Sequence, residues 1–196
     1  AIIMTYGIGN LFLRDKESRL AGTDRESMKT TALLFGLDLD YVSLTLPRIP
    51  CAEEAEKITA LAELCSENFA DYNAERMARL IKKRMSSGEI FVIEHKNNIA
   101  GFIMFSKKNK TIDHIAVSPD YRRIGIASRL MVTAMAQFEV GEELSAVTFR
   151  QEHPMSDGVS RMYKKFGFDD EKNIVVRGEP LVKRTAVVPE KAIITE

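Results

Sequence analysis

Apolar positions recur at helical spacing in the first part of the chain and come in short runs in the second. Ala55, Ile58, Leu61, Ala62 and Cys65 mark one face of a helix over Ala52–Phe69, with acidic residues elsewhere. Met77, Leu80 and Ile81 do the same for a second helix over Asn73–Met85. The run Lys82-Lys83-Arg84 near its end reads as a solvated C-terminus, where cations are favoured. From Gly88 the period changes. Ile90–Glu94 and Ile99–Ser106 are apolar runs joined by Lys96-Asn97-Asn98, the pattern of a hairpin. Lys107-Lys108-Asn109-Lys110 turns the chain into Thr111–Val117, which is rich in β-branched residues. Ser118-Pro119-Asp120 ends that strand, because proline has no N–H to donate. A helical stripe follows at Ile126, Leu130, Met131, Ala134 and Phe138, and Gly141 lies beyond it.

The remainder predicts a strand at Leu144–Phe149, a helix at Ser156–Phe166 closed by Gly167, and a hairpin of Asn173–Arg177 with Leu181–Val188. Before the first helix, Tyr41–Leu46 alternates as a strand and Pro47 and Pro50 stop it. The order is βααβββαβαββ. The strands at Thr111–Val117 and Leu144–Phe149 are joined by a helix, so they are expected to be parallel. The fold class is therefore mixed α+β: a mostly antiparallel sheet with a central parallel pair and flanking helices. One domain is expected over 41–189, with a tail at 190–196. Residues 1–40 read as an extension: a short hairpin or strand fragments over Ile2–Leu13, a charged loop, then a helix ending at Gly36. Its expected place is against the main domain or against a second copy of the chain, as in a homodimer.

Composition narrows the function. The chain has 196 residues, with 28 Lys plus Arg against 28 Asp plus Glu. No global basic field exists to hold nucleic acid. Cys51 and Cys65 are too few for a disulfide framework or a zinc site and read as buried free thiols. His95, His114 and His153 show no ligand spacing, so no metal is expected. No apolar run approaches the ~20 residues that span a bilayer, and no secretory signal is visible. The expectation is a cytoplasmic protein without a membrane partner.

Chemistry concentrates between Thr111 and Phe138. Gly125 and Ala127 sit where the helix begins, and small residues there let a ligand approach the backbone. The free N–H groups of a first helical turn, at the positive end of the helix dipole, favour an anion. Arg122 and Arg123 add charge at the same place. The physical reading is a phosphate-binding turn whose ligand lies along the preceding strand.

This stretch resembles the acetyl-CoA motif of the GNAT N-acetyltransferase superfamily: Arg or Gln, two residues, Gly, one residue, then Gly or Ala. Arg122, Gly125 and Ala127 satisfy it. The element order resembles the GNAT fold over the same 41–189. The resemblance implies acetyl transfer from acetyl-CoA to a primary amine of a small molecule or protein, by direct attack in a ternary complex. It implies that backbone groups of Ile115 and Val117 pair with the pantetheine. The pyrophosphate would rest on N–H groups of Arg123, Ile124, Gly125, Ile126, Ala127 and Ser128. A second segment, Tyr163 followed after three residues by Gly167-Phe168, is similar to the family segment whose tyrosine protonates the leaving thiolate. Many members carry Asn seven residues before that tyrosine; here the position is Ser156.

For the base, the family uses an acid or His on the strand at Thr111 or Asp113. Strand alternation sets Asp113 on the face of Ile115 and Val117 and His114 on the other, unless a bulge intervenes. Asp113 is the first candidate, His114 with its better-matched pKa the second, and a water chain the third. The competing function is a non-catalytic acyl-CoA-binding or regulatory module on the same fold.

Overall fold

The structure is a computed structural model that describes residues 46–70, 72–150 and 156–190. The expectations for the extension, for the strand over Tyr41–Leu46 up to its last residue, and for the tail from 191 lie outside the described residues. Near the start, Arg48 pairs through an isolated bridge with Val92.

Two helices come first, α1 (Ala55–Leu64) and α2 (Ala74–Ser87). Asn73 caps α2 by accepting from the Arg76 N–H at 2.9 Å, and Gly88 ends it in the left-handed conformation. Then follow β1 (Ile90–His95), β2 (Asn98–Ser106), β3 (Thr111–Val117), α3 (Ile126–Met135), β4 (Glu143–Phe149), α4 (Ser156–Lys165), β5 (Asp170–Val176) and β6 (Glu179–Val187). The sheet order is β1-β2-β3-β4-β6-β5, with all pairs antiparallel except β3 with β4. From the first helix onward the expected order of elements stands, with ends agreeing to within three residues except that α1 stops at Leu64, five short of the expected Phe69. Helix α3 stops at Met135, short of the stripe's last member. Phe138 still packs, meeting the Phe105 ring at 5.9 Å.

Helices cover both faces. Ile58, Leu61, Cys65, Met77 and Ile81 of the α1–α2 region pack with Ile90, Val92, Phe102, Met104 and Ala116. On the opposite face Leu130, Met131 and Ala134 of α3 and Tyr163 of α4 pack with Phe91, Ile93, Ile103, Phe105 and Ile112. Burial on both sides explains why β2 reads as one continuous apolar run. Helix α3 lies hard against β2: a Cβ on Gly101 would stand 2.7 Å from the Ile126 Cγ2.

Two sequence expectations fail here, the first for a helical reason. Arg84 is buried at 7% exposure, whereas Lys82 and Lys83 are exposed. Positions 77, 81 and 84 share one side of a helix, so Arg84 follows Met77 and Ile81 inward. Cys51 is exposed, and only Cys65 is the buried thiol expected.

Candidate active site

The parallel ladder between β3 and β4 is short. Thr111 pairs with Ser145 and Ile112 with Ala146, and no further pair forms. Beyond Ile112 the two strands part, and a cleft of about 840 Å³ fills the gap. On the α3 side it is lined by Arg122, Arg123, Gly125, Ala127 and Ser128, and on the β4 side by Val147, Thr148 and Phe149. Val159, Met162 and Tyr163 of α4 line the far wall. On the other face of the sheet Asn68, Phe69, Ala70 and His114 line the same cleft. It therefore passes through the sheet and opens toward both helical layers.

The turn into α3 has the backbone that an anion site needs. Arg123 at φ 70° and Gly125 at φ 87° are both left-handed, and α3 starts at Ile126 directly afterwards. A left-handed residue at 125 favours glycine. The alternation folds the N–H groups toward one concavity in front of the helix dipole. Arg122 folds back over the strand end, its Nε donating to the Val117 carbonyl at 3.3 Å. The Cys65 thiol donates to the same carbonyl at 3.6 Å. Burial pushes that thiol's pKa up, against the opposing effect of Arg122, so it stays protonated. The Val117 carbonyl expected to face a ligand is thus engaged within the chain. Ser156 is the first residue of α4, and its side chain lies outside the described residues.

Alternation along β3 is broken. Met104 pairs with His114 and Phe105 with Ile112, leaving Asp113 as the extra residue of a bulge. Ile112 consequently shares its face with Ile115 and Val117, at an odd spacing. The expectation that Asp113 points with Ile115 and Val117 is overturned. Its carboxylate meets Arg84 of α2 at 2.5 Å and accepts from the Thr111 hydroxyl at 2.7 Å. Arg84 also pairs with Glu89, which in turn accepts from the Ser87 hydroxyl and the Lys107 N–H. Arg84 thus ties α2 to the bulge.

His114 takes the next position. Its ring meets Phe69 edge-on at 5.2 Å, and its Nδ1 is shielded from solvent with no hydrogen-bond partner. Burial pushes its pKa down, Arg84 and Arg76 add to the fall, and the Asp113 charge opposes it. These effects favour the neutral imidazole. Tyr163 stands across the cleft, buried, its ring edge-on to Phe168 at 5.2 Å. Burial raises its pKa well above the phenol range, the Asp113 charge adds to this and Arg184 opposes it. Tyr163 therefore keeps its proton.

Several of these residues had no place at the site in the sequence reading. Arg84 could have been found from its spacing to Met77 and Ile81. Phe69 and Arg184 carry no local signal, since partners distant in sequence bring them into place. Among the described residues no group of His, Cys, Asp or Glu stands together as a metal site, and no helix is long and apolar enough to cross a membrane.

Comparison with known proteins agrees with this architecture. Residues 86–170 match the family model described as "Acetyltransferase (GNAT) domain". The fold is similar to a GNAT-family acetyltransferase from Bacillus cereus at 17% identity and TM-score 0.59, covering 74% of this chain and 96% of that one. It is similar to Ard1 from Thermoplasma volcanium at 18% identity and TM-score 0.57, covering 76% and 99%. The microcin C7 self-immunity acetyltransferase MccE, solved with acetyl-CoA and AMP, aligns at 15% identity and TM-score 0.51, covering 74% and 92%. No curated protein matches the sequence significantly. Residues 86–170 are thus similar to a GNAT acetyltransferase domain, and the fold is that of its GNAT-family neighbours.

Proposed function

We propose that this chain is an N-acetyltransferase that moves an acetyl group from acetyl-CoA to a primary amine in a ternary complex. The observation that carries this reading is the cleft through the sheet where β3 and β4 part. A cleft open to both faces lets the thioester come from the α3–α4 side while the amine comes from the α1–α2 side. No acyl-enzyme is needed.

The pyrophosphate would take the concavity at Arg123–Ser128, and Arg122 would leave the Val117 carbonyl for the phosphates. The freed carbonyl, with the backbone of Ile115, would hold the pantetheine. Holding two reactants in line is worth roughly 7–11 kcal/mol of barrier. His114 is assigned as base: its unpartnered Nδ1 accepts the proton of the attacking amine. Asp113 is a positioning residue, because its carboxylate is already committed to Arg84 and Thr111. The amine nitrogen bonds to the thioester carbon, and the carbonyl electrons move to oxygen. On their return the C–S bond breaks and the thiolate leaves, hydrogen-bonded and then protonated by Tyr163. The products are the N-acetyl amine and CoA. Solvent carries the proton from His114 back to the tyrosinate. Acceptors are small amines or protein amines.

The test uses acetyl-CoA binding by titration calorimetry alongside thiol release over a panel of amines. Gly125→Glu puts a negative side chain where the pyrophosphate rests and should abolish both. Unchanged affinity in the folded variant would remove the turn from the cofactor site. Tight binding without turnover on any amine would favour the non-catalytic module.

A further inference from the structure

A second cavity, of about 270 Å³, lies on the other side of α4, against β4, β5 and β6. Its wall is almost wholly polar. Among the described residues Arg150, Lys164 and Arg184 line it against a single carboxylate, Glu171, and Val182 is the one apolar residue of its wall. Arg184 is 4% exposed. Its Nε donates to the Thr148 hydroxyl and an Nη to the Ser160 hydroxyl, each at 3.0 Å, while the other Nη pairs with Glu171. That carboxylate is shared, since the Lys164 Nζ stands 3.6 Å from it. Arg150 completes the wall, and its Nε–H is shielded from solvent with no hydrogen-bond partner.

Burying charge is costly unless opposite charge and hydrogen bonds compensate. At Arg84 two carboxylates meet one guanidinium. Among the described residues of this cavity the balance is reversed, three cations to one anion, and the Arg150 Nε–H is left unsatisfied, as the Nε–H of Arg84 is. Guanidinium forks match the oxygens of a phosphate or carboxylate, and the surplus of two positive charges matches a dianion. Lys164 is half exposed, which leaves a route from solvent. We propose that this cavity is a binding site for a phosphate group, held by Arg150, Lys164 and Arg184 and separate from the acetyl-transfer cleft. The phosphate is either a free small anion or the 3′-phosphate of CoA.

The experiment uses the full chain, with the α3 turn saturated by dephospho-CoA and ionic strength held constant with chloride. Inorganic phosphate is titrated while the arginine Nε–H resonances are followed by NMR and the heat by calorimetry. The expected result is one saturable site that shifts the Arg150 and Arg184 resonances. Arg150→Gln combined with Lys164→Gln keeps the Arg184 anchor and should weaken phosphate about tenfold or more, the loss of charge-assisted bonds. Repeating the titration with CoA identifies the source: loss of the phosphate response assigns the site to the 3′-phosphate, and an unchanged response assigns it to a free anion. Unmoved Arg150 and Arg184 resonances in the wild type, or equal phosphate affinity in a folded double variant, would overturn the site.

Discussion

Each face of the sheet buries an arginine, and the two are neutralised differently. On the α1–α2 face Arg84 meets Asp113 and Glu89. On the α3–α4 face the one carboxylate that Arg184 meets among the described residues is Glu171, shared with Lys164, and Arg184 draws on two hydroxyls. The first sets two carboxylates against one guanidinium, whose Nε–H alone has no partner, and it ties α2 to the β3 bulge beside His114. The second leaves positive charge over, beside the helix that carries Tyr163. One buried arginine serves as a lock and the other as a reserve of charge. The difference lies in the count of opposing carboxylates, not in depth of burial.

Breaking the lock should have the largest effect. Arg84→Met leaves two carboxylates without their cation, and removing one partner of a buried pair typically costs about 3–5 kcal/mol. Chemical denaturation should show that loss, with activity falling as the bulge relaxes. Adding Asp113→Asn and Glu89→Gln to Arg84→Met should restore part of it. A loss below about 0.5 kcal/mol, the range of an ordinary surface change, would mean that Arg84 does not hold the bulge.

Next come the substitutions that separate Asp113 from His114. His114→Gln keeps a polar side chain of similar size and removes the base, so turnover should fall by about 10²-fold or more. Asp113→Asn should reduce stability more than it reduces the chemical step. Steady-state rates across pH, paired with denaturation curves, read both quantities. The opposite pattern, a silent His114 and an Asp113 variant that folds normally but is inactive, would return the role to the carboxylate.

On the other face, Tyr163→Phe keeps the ring against Phe168 and removes the proton. Turnover should fall by about 10–100-fold, at or below the low end of general acid catalysis because the thiolate already leaves fairly well. Acetyl-CoA affinity should barely move. Full turnover with chemistry shown to be rate-limiting would reduce Tyr163 to a packing residue.

The smallest effect concerns pH. Burial lowers the His114 pKa from its ordinary 6.5. Below that value the unfolded chain takes up a proton that the folded chain does not, so stability is complete above 6.5 and declines as pH falls toward the folded pKa. Denaturation between about pH 5 and pH 8 should show this slope, and His114→Gln should flatten it. An identical slope in the variant would place the titration elsewhere.

Local chemistry made the turn at Arg122–Ser128 and the position of Tyr163 legible in the sequence. A proline, a left-handed glycine, small residues and a helix stripe all act within a few residues of one another. The order of strands and the parallel pair followed from the same periodicities. What lay beyond reach depended on distant partners. The bulge at Asp113 is a matter of how β3 meets β2, and one extra residue reverses which face each later side chain takes. Arg84 sits in a run of three basic residues that looks solvated until helical phase and the carboxylates of Glu89 and Asp113 are brought together. The cavity at Arg150, Lys164 and Arg184 draws on a strand end, a helix and another strand. The sequence by itself determined the fold class and the left-handed turn into α3, because those rest on short-range backbone preferences. Only the tertiary structure decided how Asp113 and His114 are partnered beside the cleft and which charges among the described residues remain unbalanced, because register and burial are properties of packed elements.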